Sequence, residues 1–289
     1  MTEKYYDNLP PVSDFIERYQ LNAKKSLGQN FILDLNLTDK IASTIPNIEN
    51  SVVMEVGSGP AGLTRALLAR NAKKVIAIEF DSRAIGILRE IQQSYPDRLV
   101  IIEDNALNIK IDDLYNQYAK PYGFGFAICS NLPYNISIPL TILWLHSAEH
   151  IDSMTLMYQY EVGARITATP KTKDYGRISI ISQIACKTKI LFKVPRTCFT
   201  PAPKVTSCIV QFIPQHPQPS PMSMSTLEEV VKQAFSERRK MIRTTLKPLF
   251  SNQSEMSQIL ASLNIPETAR AEQLSPQTFF ELAETLLKR

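Results

Sequence analysis

The sequence contains no long hydrophobic run. None of its segments approaches the roughly 18 consecutive apolar residues that a membrane-spanning helix needs. The N-terminus also lacks the charged-then-apolar pattern of a secretory signal. With 44% hydrophobic and 21% charged residues in a chain of 289, the composition is ordinary for a soluble globular protein of one or two domains. We therefore expect a cytoplasmic location.

Cysteine and histidine are scarce as well. The four cysteines are scattered without a C-x-x-C pair, and the three histidines do not accompany such a pair. This pattern is typical of reduced packing thiols, and it argues against zinc, whose ligands usually come in closely spaced pairs. We therefore predict a reducing compartment and no metal site.

Positive charge exceeds negative charge only slightly. The net charge of +4 is a weak indication of a polyanionic partner, and the distribution of charge is more informative than its total. Residues 236–247 include one acid, Glu237, and five basic residues. The basic residues are Arg238, Arg239, Lys240, Arg243 and Lys247.

Strands and helices alternate in the first half of the chain. Apolar, β-branched runs predict buried strands, and apolar residues at helical spacing predict helices between them. The predicted strands are residues 51–57, 74–79, 99–102, 124–130 and 154–158, and the predicted helices are residues 63–69 and 84–92. Such alternation implies right-handed crossovers and a mostly parallel sheet, which defines the α/β class.

The pattern changes in the second half. Residues 187–194 and 205–212 alternate apolar and polar side chains, which predicts an antiparallel pair at the edge of a sheet. A proline-rich stretch then predicts a linker, and apolar residues at helical spacing beyond it predict a small helical domain. The expected organisation is an N-terminal, partly helical extension over 1–23, a main α/β domain over 24–213, a linker over 214–221 and a small C-terminal α-helical domain over 222–289.

A glycine-rich loop follows the first of these strands. Residues 57–62 fit G-x-G-x-x-G, in which Gly57 and Gly59 let a nucleotide ligand approach the backbone. Glu79 ends the next strand, where a carboxylate can accept both hydroxyls of a ribose. The loop alone does not distinguish NAD from other adenosyl ligands. Glu55 favours the latter, because E-x-G-x-G resembles the first motif of class I methyltransferases.

The tetrapeptide Asn131-Leu132-Pro133-Tyr134 follows the fourth predicted strand. In isolation it is a common turn before a helix. Ligands, however, bind at the carboxyl ends of parallel strands, and here the tetrapeptide shares that position with the nucleotide loop. It resembles the [DNS]-P-P-[YF]-like motif of amino-directed nucleic-acid methyltransferases.

These residue types suit methylation of an adenine amine, whose lone pair is delocalised into the ring. The amide oxygen of Asn131 and the carbonyl of Leu132 can accept its two hydrogens and favour a pyramidal nitrogen. Pro133 fixes the direction of that carbonyl, and Tyr134 offers a face on which the base can stack. Because a sulfonium methyl donor is a strong electrophile, positioning can supply most of the rate without a dedicated base.

Motifs in order along residues 22–246 resemble those of the ribosomal RNA adenine dimethyltransferase family. They are a K-x-x-x-G-Q-N-F segment at 24–31, an E-V-G-A-R segment at 161–165 that resembles an E-V-A-x-R helix start, a V-P-x-x-x-F-x-P-x-P-K-V segment at 194–205 and an F-x-x-R-R-K segment at 235–240. The resemblance implies a Rossmann-like class I methyltransferase domain that binds S-adenosyl-L-methionine. It also implies that the small helical domain binds RNA.

The resemblance also implies roles for individual residues. The implied catalytic residues are Asn131, Leu132, Pro133, Tyr134 and Phe199, the last of which sandwiches the target base. The implied cofactor contacts are Asn30, Ile32, Gly57, Gly59, Glu79, Asn131 and an acidic residue after the third strand. Where the family pattern is D-A-L, this chain has Asn105-Ala106-Leu107, so that either Asn105 or the preceding Asp104 contacts the adenine of the cofactor.

The implied activity is N6-dimethylation of two adjacent adenosines in small-subunit (16S) ribosomal RNA, late in ribosome assembly, by a monomer. The alternatives are the related large-subunit enzyme of macrolide resistance and a non-catalytic RNA-binding factor on the same fold. Residues 194–205 and 235–240 favour the assembly enzyme, and the intact motifs at 57–62 and 131–134 argue against a non-catalytic factor. An NAD oxidoreductase would need a hydride-site histidine that the sequence does not place there.

With this resemblance, the basic segment 236–247 is predicted to be a helix that contacts RNA. Arg239, Arg243 and Lys247 fall at i, i+4 and i+8 and would share one stripe, while apolar residues occupy another. Pro248 is expected to end the helix. The alternative is a solvated charged face, which is what most charge clusters are.

Overall fold

The computed structural model describes residues 8–23 and 29–289. Residues 24–28, which begin the first family motif, lie outside the described residues. The chain divides into two compact units. The first is built from residues up to Tyr160 together with Ile190–Ile213, and the second from Glu161–Lys189 together with Pro214–Arg289. Each unit is therefore assembled from two separate stretches of chain.

Helices and strands alternate as the sequence predicts. The helices are α1 (Val12–Arg18), α2 (Leu35–Ala42), α3 (Gly62–Ala69), α4 (Ser82–Ser94), α5 (Ile111–Leu114), α6 (Ser137–Leu145), α7 (Tyr160–Ile166), α8 (Arg177–Ala185), α9 (Pro221–Ala234), α10 (Ile242–Thr245), α11 (Gln253–Ser262) and α12 (Pro276–Leu287). The strands are β1 (Phe31–Ile32), β2 (Ser51–Val56), β3 (Lys74–Glu79), β4 (Leu99–Glu103), β5 (Gly125–Ser130), β6 (Ser153–Gln159), β7 (Cys186–Val194), β8 (Phe199–Thr200) and β9 (Ser207–Pro214). Among the described residues, no helix has both the length and the apolar character that crossing a bilayer requires.

The first unit is organised around a seven-stranded sheet in the order β4-β3-β2-β5-β6-β9-β7. The strands from β4 to β6 in this order are parallel, and β9 pairs antiparallel with β6. A separate antiparallel pair joins β1 and β8. The mostly parallel sheet and the edge position of β9 and β7 confirm the predicted α/β class. The five parallel strands end at the same edge of the sheet.

The central strands are buried on both faces. Every residue of β2 is buried, and β3 and β5 differ only in a partly exposed first residue. Parallel strands covered by helices on both faces carry continuous apolar runs rather than alternating ones. This is why the predicted strands at residues 51–57 and 74–79 were recognisable in the sequence.

α4 begins two residues before the predicted helix because Asp81 caps it. The side chain of Asp81 accepts a hydrogen bond from the Arg83 backbone N–H over 3.1 Å. The Arg83 guanidinium donates two more hydrogen bonds to the same carboxylate. Hydrogen bonds from Arg83 lower the pKa of Asp81 to about 2. The cap is therefore charged at neutral pH.

The second unit is helical, as predicted for the end of the chain. α9 packs against α12, and α8 packs against both. The Phe235 ring lies 6.3 Å from that of Tyr175 and 6.0 Å from that of Phe279, measured between centroids. The Tyr175 hydroxyl donates to the Leu274 carbonyl oxygen over 2.9 Å. These aromatic contacts form part of the core of this unit.

The two units divide the chain differently from the predicted domains. The predicted linker at 214–221 coincides with the chain between β9 and α9, but the predicted main domain at 24–213 includes Glu161–Lys189, which belongs to the second unit. The reason is α8, whose residues Ile178 and Ile181 are buried and which packs against α9 and α12. A proline-rich stretch marks a linker but does not show which unit an earlier helix joins.

The predicted helix over residues 236–247 is wrong. α9 ends at Ala234, residues 235–240 form turns, and α10 is a single turn. The backbone N–H groups of Ile242 and Arg243 donate to the carbonyl oxygens of Ala269 and Glu267 instead of to residues four positions earlier. The basic residues of this segment therefore do not share one stripe of a continuous helix.

Candidate active site

A cavity of about 280 Å³ lies at the carboxyl ends of β2, β3, β4 and β5, within the first unit. Its walls are the segments that follow these strands, together with the chain around β1. The lining includes every predicted cofactor contact: Asn30, Ile32, Gly57, Gly59, Glu79, Asp104, Asn105 and Asn131. The parallel strands end at one edge of the sheet and so bring six of these positions together, while the chain around β1 adds Asn30 and Ile32.

The loop after β2 needs glycine at two positions. Gly57 has φ +71° and Gly59 has φ +51°, values that residues with a Cβ rarely adopt. The Gly57 N–H donates to the Ile78 carbonyl oxygen over 2.9 Å, which fixes the loop to the end of β3. A Cβ on Gly59 would lie 3.1 Å from Cε1 of Phe31, another residue of the cavity. The loop therefore depends on glycine for its backbone shape and for the approach of the Phe31 ring.

We expect Gly59→Ala to destabilise the protein more than Gly123→Ala does. Both positions are left-handed, so that each substitution carries a backbone strain of about 1–2 kcal/mol. A Cβ on Gly123, where φ is +66°, would meet no atom within 4 Å, whereas a Cβ on Gly59 would press on Phe31. Urea denaturation of the two variants measures the difference in the free energy of unfolding. Equal losses would contradict the close contact with Phe31.

Glu79 ends β3, and three backbone N–H groups anchor its carboxylate. Oε2 accepts from Gly59 over 3.0 Å, while Oε1 accepts from Phe80 over 2.8 Å and from Asp81 over 2.9 Å. The residue is only 7% exposed and lines the cavity. Because a carboxylate has about four lone-pair positions, capacity remains to accept a hydroxyl from a ligand.

Glu55 is a buried carboxyl group two residues before Gly57. It lines the cavity, and the Thr64 hydroxyl donates to its Oε2 over 2.5 Å. Burial raises the pKa of Glu55 to about 7, and the hydrogen bond from Thr64 offsets only part of this rise. The group therefore titrates near neutral pH.

We expect Glu55→Gln to stabilise the protein relative to wild type by an amount that grows with pH. A carboxyl group whose pKa is raised on folding makes folding less favourable as the pH rises between the two values, here from 4.5 to about 7. Glutamine keeps an oxygen for Thr64 but does not ionise. The difference in the free energy of unfolding should be small near pH 4 and reach about 3 kcal/mol above pH 7. Urea denaturation across this range measures it, and a difference independent of pH would contradict the buried carboxyl group.

The structure shows different hydrogen bonds for the two candidates after β4. Oδ1 of Asn105 accepts a hydrogen bond from the Leu107 N–H over 3.1 Å and so caps a short helical turn. Oδ1 of Asp104 accepts from the Asn105 N–H and from Nδ2 of Asn108, while its second oxygen, Oδ2, is not used in these bonds. Both residues line the cavity. Asp104 and Asn105 therefore both remain candidates for the contact with the cofactor adenine, and only Asp104 would bring a carboxylate to it.

Asn131 directly follows β5, and its amide is oriented by the chain before β1. Nδ2 donates to the carbonyl oxygen of Asn30 over 3.0 Å. Because a carbonyl oxygen can only accept, the nitrogen end of the amide must face Asn30, and Oδ1 becomes the end that can accept a hydrogen from a ligand. The strand end itself is fixed by Ser130, whose hydroxyl donates to the Val56 carbonyl oxygen over 2.5 Å.

The next three residues form one wall of the cavity. Leu132 is buried, and Pro133 and Tyr134 are half-buried. The Tyr134 hydroxyl shares a 2.6 Å hydrogen bond with the Ser207 hydroxyl, which holds the ring in place. Burial raises the pKa of Tyr134, so that the phenol is neutral at physiological pH. Tyr134 therefore offers a fixed aromatic surface rather than a base.

Phe199 is not among the residues that line the cavity. It lies in β8, opposite Ile32 of β1, and is 4% exposed within the core of the first unit. Its partner in register, Ile32, does line the cavity. The contact of Phe199 with a target base stays a prediction.

Two exposed apolar residues of the cavity were missed by the sequence analysis. Phe80 directly follows Glu79 and is 70% exposed, and Leu107 is 42% exposed. Large apolar side chains at a cavity suit the faces of an adenine ring. The available signal was their position, because each follows within a few residues of the carboxyl end of a parallel strand.

Solved structures share this fold. A dimethyladenosine transferase from Plasmodium falciparum matches with a TM-score of 0.72 and 25% identity, covering 89% of this chain and 98% of that one. The 23S rRNA methyltransferase ErmE matches with a TM-score of 0.63 and 24% identity, covering 89% of this chain and 99% of that one.

The fold and the cavity define a class I methyltransferase that uses S-adenosylmethionine. The family model described as ribosomal RNA adenine dimethylase matches residues 20–288. This chain belongs to the ribosomal RNA adenine dimethylase family. One relative, the ribosomal RNA small subunit methyltransferase A of Sinorhizobium medicae, is 46% identical over 283 residues, which cover 97% of this chain and 98% of that one. The protein of the same name from Rhodospirillum rubrum is 44% identical over 281 residues, covering 97% and 93%.

The cavity residues fit S-adenosylmethionine. At Gly59 the absence of a Cβ lets the Phe31 ring approach the loop, and both residues line the cavity. The anchored carboxylate of Glu79 can accept hydroxyl hydrogens, and the exposed ring of Phe80 is next to it. This donor and acceptor set suits an adenosyl group.

Proposed function

We propose that this protein is a ribosomal RNA (adenine) N6-dimethyltransferase that modifies two adjacent adenosines of small-subunit ribosomal RNA late in ribosome assembly. The observation that carries this proposal is the Asn131 amide, whose nitrogen is bound to the Asn30 carbonyl oxygen so that Oδ1 can accept an amine hydrogen. The names of the relatives from Sinorhizobium medicae and Rhodospirillum rubrum support the small subunit as substrate.

The residues after β5 are proposed to prepare the amine for reaction. Oδ1 of Asn131 and the carbonyl oxygen of Leu132 accept its two hydrogens, which favours a pyramidal nitrogen with a localised lone pair. The Tyr134 ring, held by Ser207, stacks on the base and limits its motion. Because the groups are already oriented, little reorganisation is needed when the amine reacts.

The residues after β2, β3 and β4 are proposed to hold the cofactor. Glu79 would accept a ribose hydroxyl, and Asp104 would accept a hydrogen of the adenine amine with the charge assistance of a carboxylate. The loop with Gly57 and Gly59 would approach the cofactor through its backbone. When bound, S-adenosylmethionine supplies an electrophilic methyl group on a sulfonium.

The proposal is tested by mass spectrometry of nucleosides from cells with and without this gene. We expect N6-dimethyladenosine in small-subunit RNA only when the gene is present, and we expect the purified protein to restore it in vitro. Dimethylation of large-subunit RNA alone would favour the macrolide-resistance type of enzyme. RNA binding without methyl transfer would favour a non-catalytic assembly factor.

The proposed substrate is the small ribosomal subunit or its precursor, and the proposed enzyme is a monomer in the cytoplasm. Membership in an RNA-modifying family supports ribosomal RNA as the partner. Sedimentation of the purified protein tests the monomer, and methylation assays on naked RNA and on assembled subunits compare the two substrates.

We propose that the basic residues of segment 236–247 contact RNA phosphates even though the predicted helix is absent. Arg239, Lys240, Arg243 and Lys247 are exposed. Arg238 differs, because its guanidinium pairs with Glu272 over 2.9 Å and donates to the Lys173 carbonyl oxygen over 2.6 Å. Arg238 therefore forms contacts within the second unit, and the proposal concerns the other four basic residues of the segment.

We expect the double variant Arg239→Ala, Arg243→Ala to bind small-subunit RNA more weakly and with a shallower salt dependence. Each lost phosphate contact removes roughly 0.7–0.9 from the slope of log K against log salt. Affinity for S-adenosylmethionine should be unchanged. Arg89→Ala is the control, since Arg89 is an exposed arginine of α4 with a side chain 69% exposed. An unchanged slope in the double variant would assign these cations to a solvated face.

A further inference from the structure

An exposed aromatic ring and a lysine lie together in the first unit. Tyr160 directly follows β6 and is 37% exposed. Lys193 of β7 places its Nζ 4.1 Å from the centroid of the Tyr160 ring. We call these two residues the Tyr160–Lys193 platform. None of the functions described above uses it.

Hydrogen bonds connect the Tyr160 backbone to the segment that also holds the Tyr134 hydroxyl. The Tyr134 hydroxyl is bound to Ser207, and Ser207 pairs in register with Gln159, the residue before Tyr160. The backbone N–H of Tyr160 donates to the Thr206 carbonyl oxygen over 2.9 Å. One cross-strand step and one chain step separate Tyr160 from Ser207, so their Cα atoms lie within roughly 10 Å.

The segment that carries Lys193 is positively charged, whereas an exposed acid, Glu161, follows Tyr160. Residues 190–213 contain three cations, Lys193, Arg196 and Lys204, and no aspartate or glutamate. All three cations are exposed. Within residues 8–23 and 29–289, Lys193 forms no ion pair. The Lys193 ammonium is on a flexible side chain in a segment without acids, and it is therefore suited to bind a phosphate group.

The charge of Lys193 also acts on β9. Burial raises the pKa of Cys208 to about 11, and the positive charge of Lys193 opposes this rise. Cys208 follows Ser207, the residue that holds the Tyr134 hydroxyl. The ammonium of Lys193 is therefore near the strand that fixes Tyr134.

We infer that the Tyr160–Lys193 platform binds a nucleotide next to the target adenosine, with the Tyr160 ring stacked on its base and the Lys193 ammonium on its phosphate. This inference rests on the proposed methylation of RNA, because it needs a strand that delivers a base to Tyr134. Stacking accepts any base, and a phosphate contact reads no sequence. The platform therefore contributes affinity for RNA, not the choice of nucleotide and not the chemical step.

The test compares variants of the platform with matched control variants at the amino-terminal ends of strands in the same sheet. The platform variants are Tyr160→Leu, Tyr160→Phe and Lys193→Gln. The controls are Tyr122→Leu and Lys73→Gln. Tyr122 is 65% exposed and precedes β5, and Lys73 precedes β3 with its Nζ 5.8 Å from the Phe124 ring. Methyl transfer to small-subunit RNA is measured at several RNA and salt concentrations.

We expect Tyr160→Leu to raise the KM for RNA about tenfold, since it removes a stacking surface. The kcat at saturating RNA and the affinity for S-adenosylmethionine should match wild type. Tyr160→Phe keeps the ring and should stay close to wild type. Lys193→Gln should reduce the salt slope of RNA binding by roughly 0.7–0.9, which is one phosphate contact. Both controls should match wild type.

The possible failures are distinguishable. If wild type methylates adenosine in RNA but Tyr160→Leu and Lys193→Gln behave like the controls, the inference is wrong and the proposed function stands. If wild type transfers no methyl group to RNA, the proposed function itself is wrong. Melting temperatures establish that each variant is folded. Should Tyr160→Leu not fold, an unchanged salt slope in Lys193→Gln, a substitution at an exposed position, would by itself overturn the inference.

Discussion

Asn131→Ala should lower the kcat for RNA methylation by about two to three orders of magnitude. The hydrogen bond from the target amine to Oδ1 strengthens as the nitrogen becomes pyramidal, so that it stabilises the transition state more than the bound substrate. Removing one preoriented group of this kind typically costs about 10²–10³ in kcat. Single-turnover methyl transfer to small-subunit RNA, with both substrates saturating, measures the effect directly.

Two further variants sharpen this experiment. Asn131→Asp keeps an acceptor oxygen but sets a carboxylate oxygen against the Asn30 carbonyl oxygen, so it should also be strongly impaired. Asn116→Ala removes an exposed asparagine that does not line the cavity and should be fully active. Near-normal methylation by Asn131→Ala would show that the reacting amine lies elsewhere.

Glu79→Ala should raise the Kd for S-adenosylmethionine by about two orders of magnitude or more. It removes the acceptor of the ribose hydroxyls, and each hydrogen bond to a charged group is worth roughly 1.5–3 kcal/mol. It also leaves the N–H groups of Gly59, Phe80 and Asp81 without the carboxylate that they share. Isothermal titration calorimetry with S-adenosylmethionine measures the loss.

The neighbouring strand offers the control for Glu79. Glu103 ends β4 in direct register with Glu79, but its side chain is 58% exposed and it is not among the cavity residues. Glu103→Ala should therefore bind the cofactor like wild type. Glu79→Gln should resemble Glu79→Ala, because its amide nitrogen would oppose backbone N–H donors. Wild-type affinity in both Glu79 variants would remove this residue from the cofactor site.

The strands of the sheet could be predicted well from the sequence because strands buried on both faces consist of continuous apolar runs. β3 spans the predicted residues 74–79, and the other parallel strands differ from their predicted ranges by one or two residues at their ends. Most of the predicted cofactor residues lie in one cavity for a related reason, since all but Asn30 and Ile32 lie at or just after the end of a parallel strand. Strand ends are local in sequence, and the sheet alone makes them neighbours.

The failures have a different physical origin. Residues 236–247 have helical spacing, but the N–H groups of Ile242 and Arg243 bond to a distant segment at Ala269 and Glu267. Likewise α8 belongs to the second unit because its apolar face meets α9 and α12. In each case contacts with a distant part of the chain determine the local structure or the unit to which a segment belongs. The periodicity of a single segment contains no information on such contacts.

The hydrogen bond between Asn131 and Asn30 means that the parallel sheet alone does not complete the catalytic group. The sheet positions Asn131 directly after β5, but the orientation of its amide is set by a hydrogen bond to Asn30, 101 positions earlier in the chain. Cofactor binding by Glu79 and activation of the amine are thus assigned to different parts of the chain. Cleavage just after Asn30 would leave the sheet and Glu79 in place, but it would divide the chain at one wall of the cavity and free the Asn131 amide to rotate. In the proposed mechanism, such a nicked enzyme would have lost the geometry that makes the target nitrogen reactive.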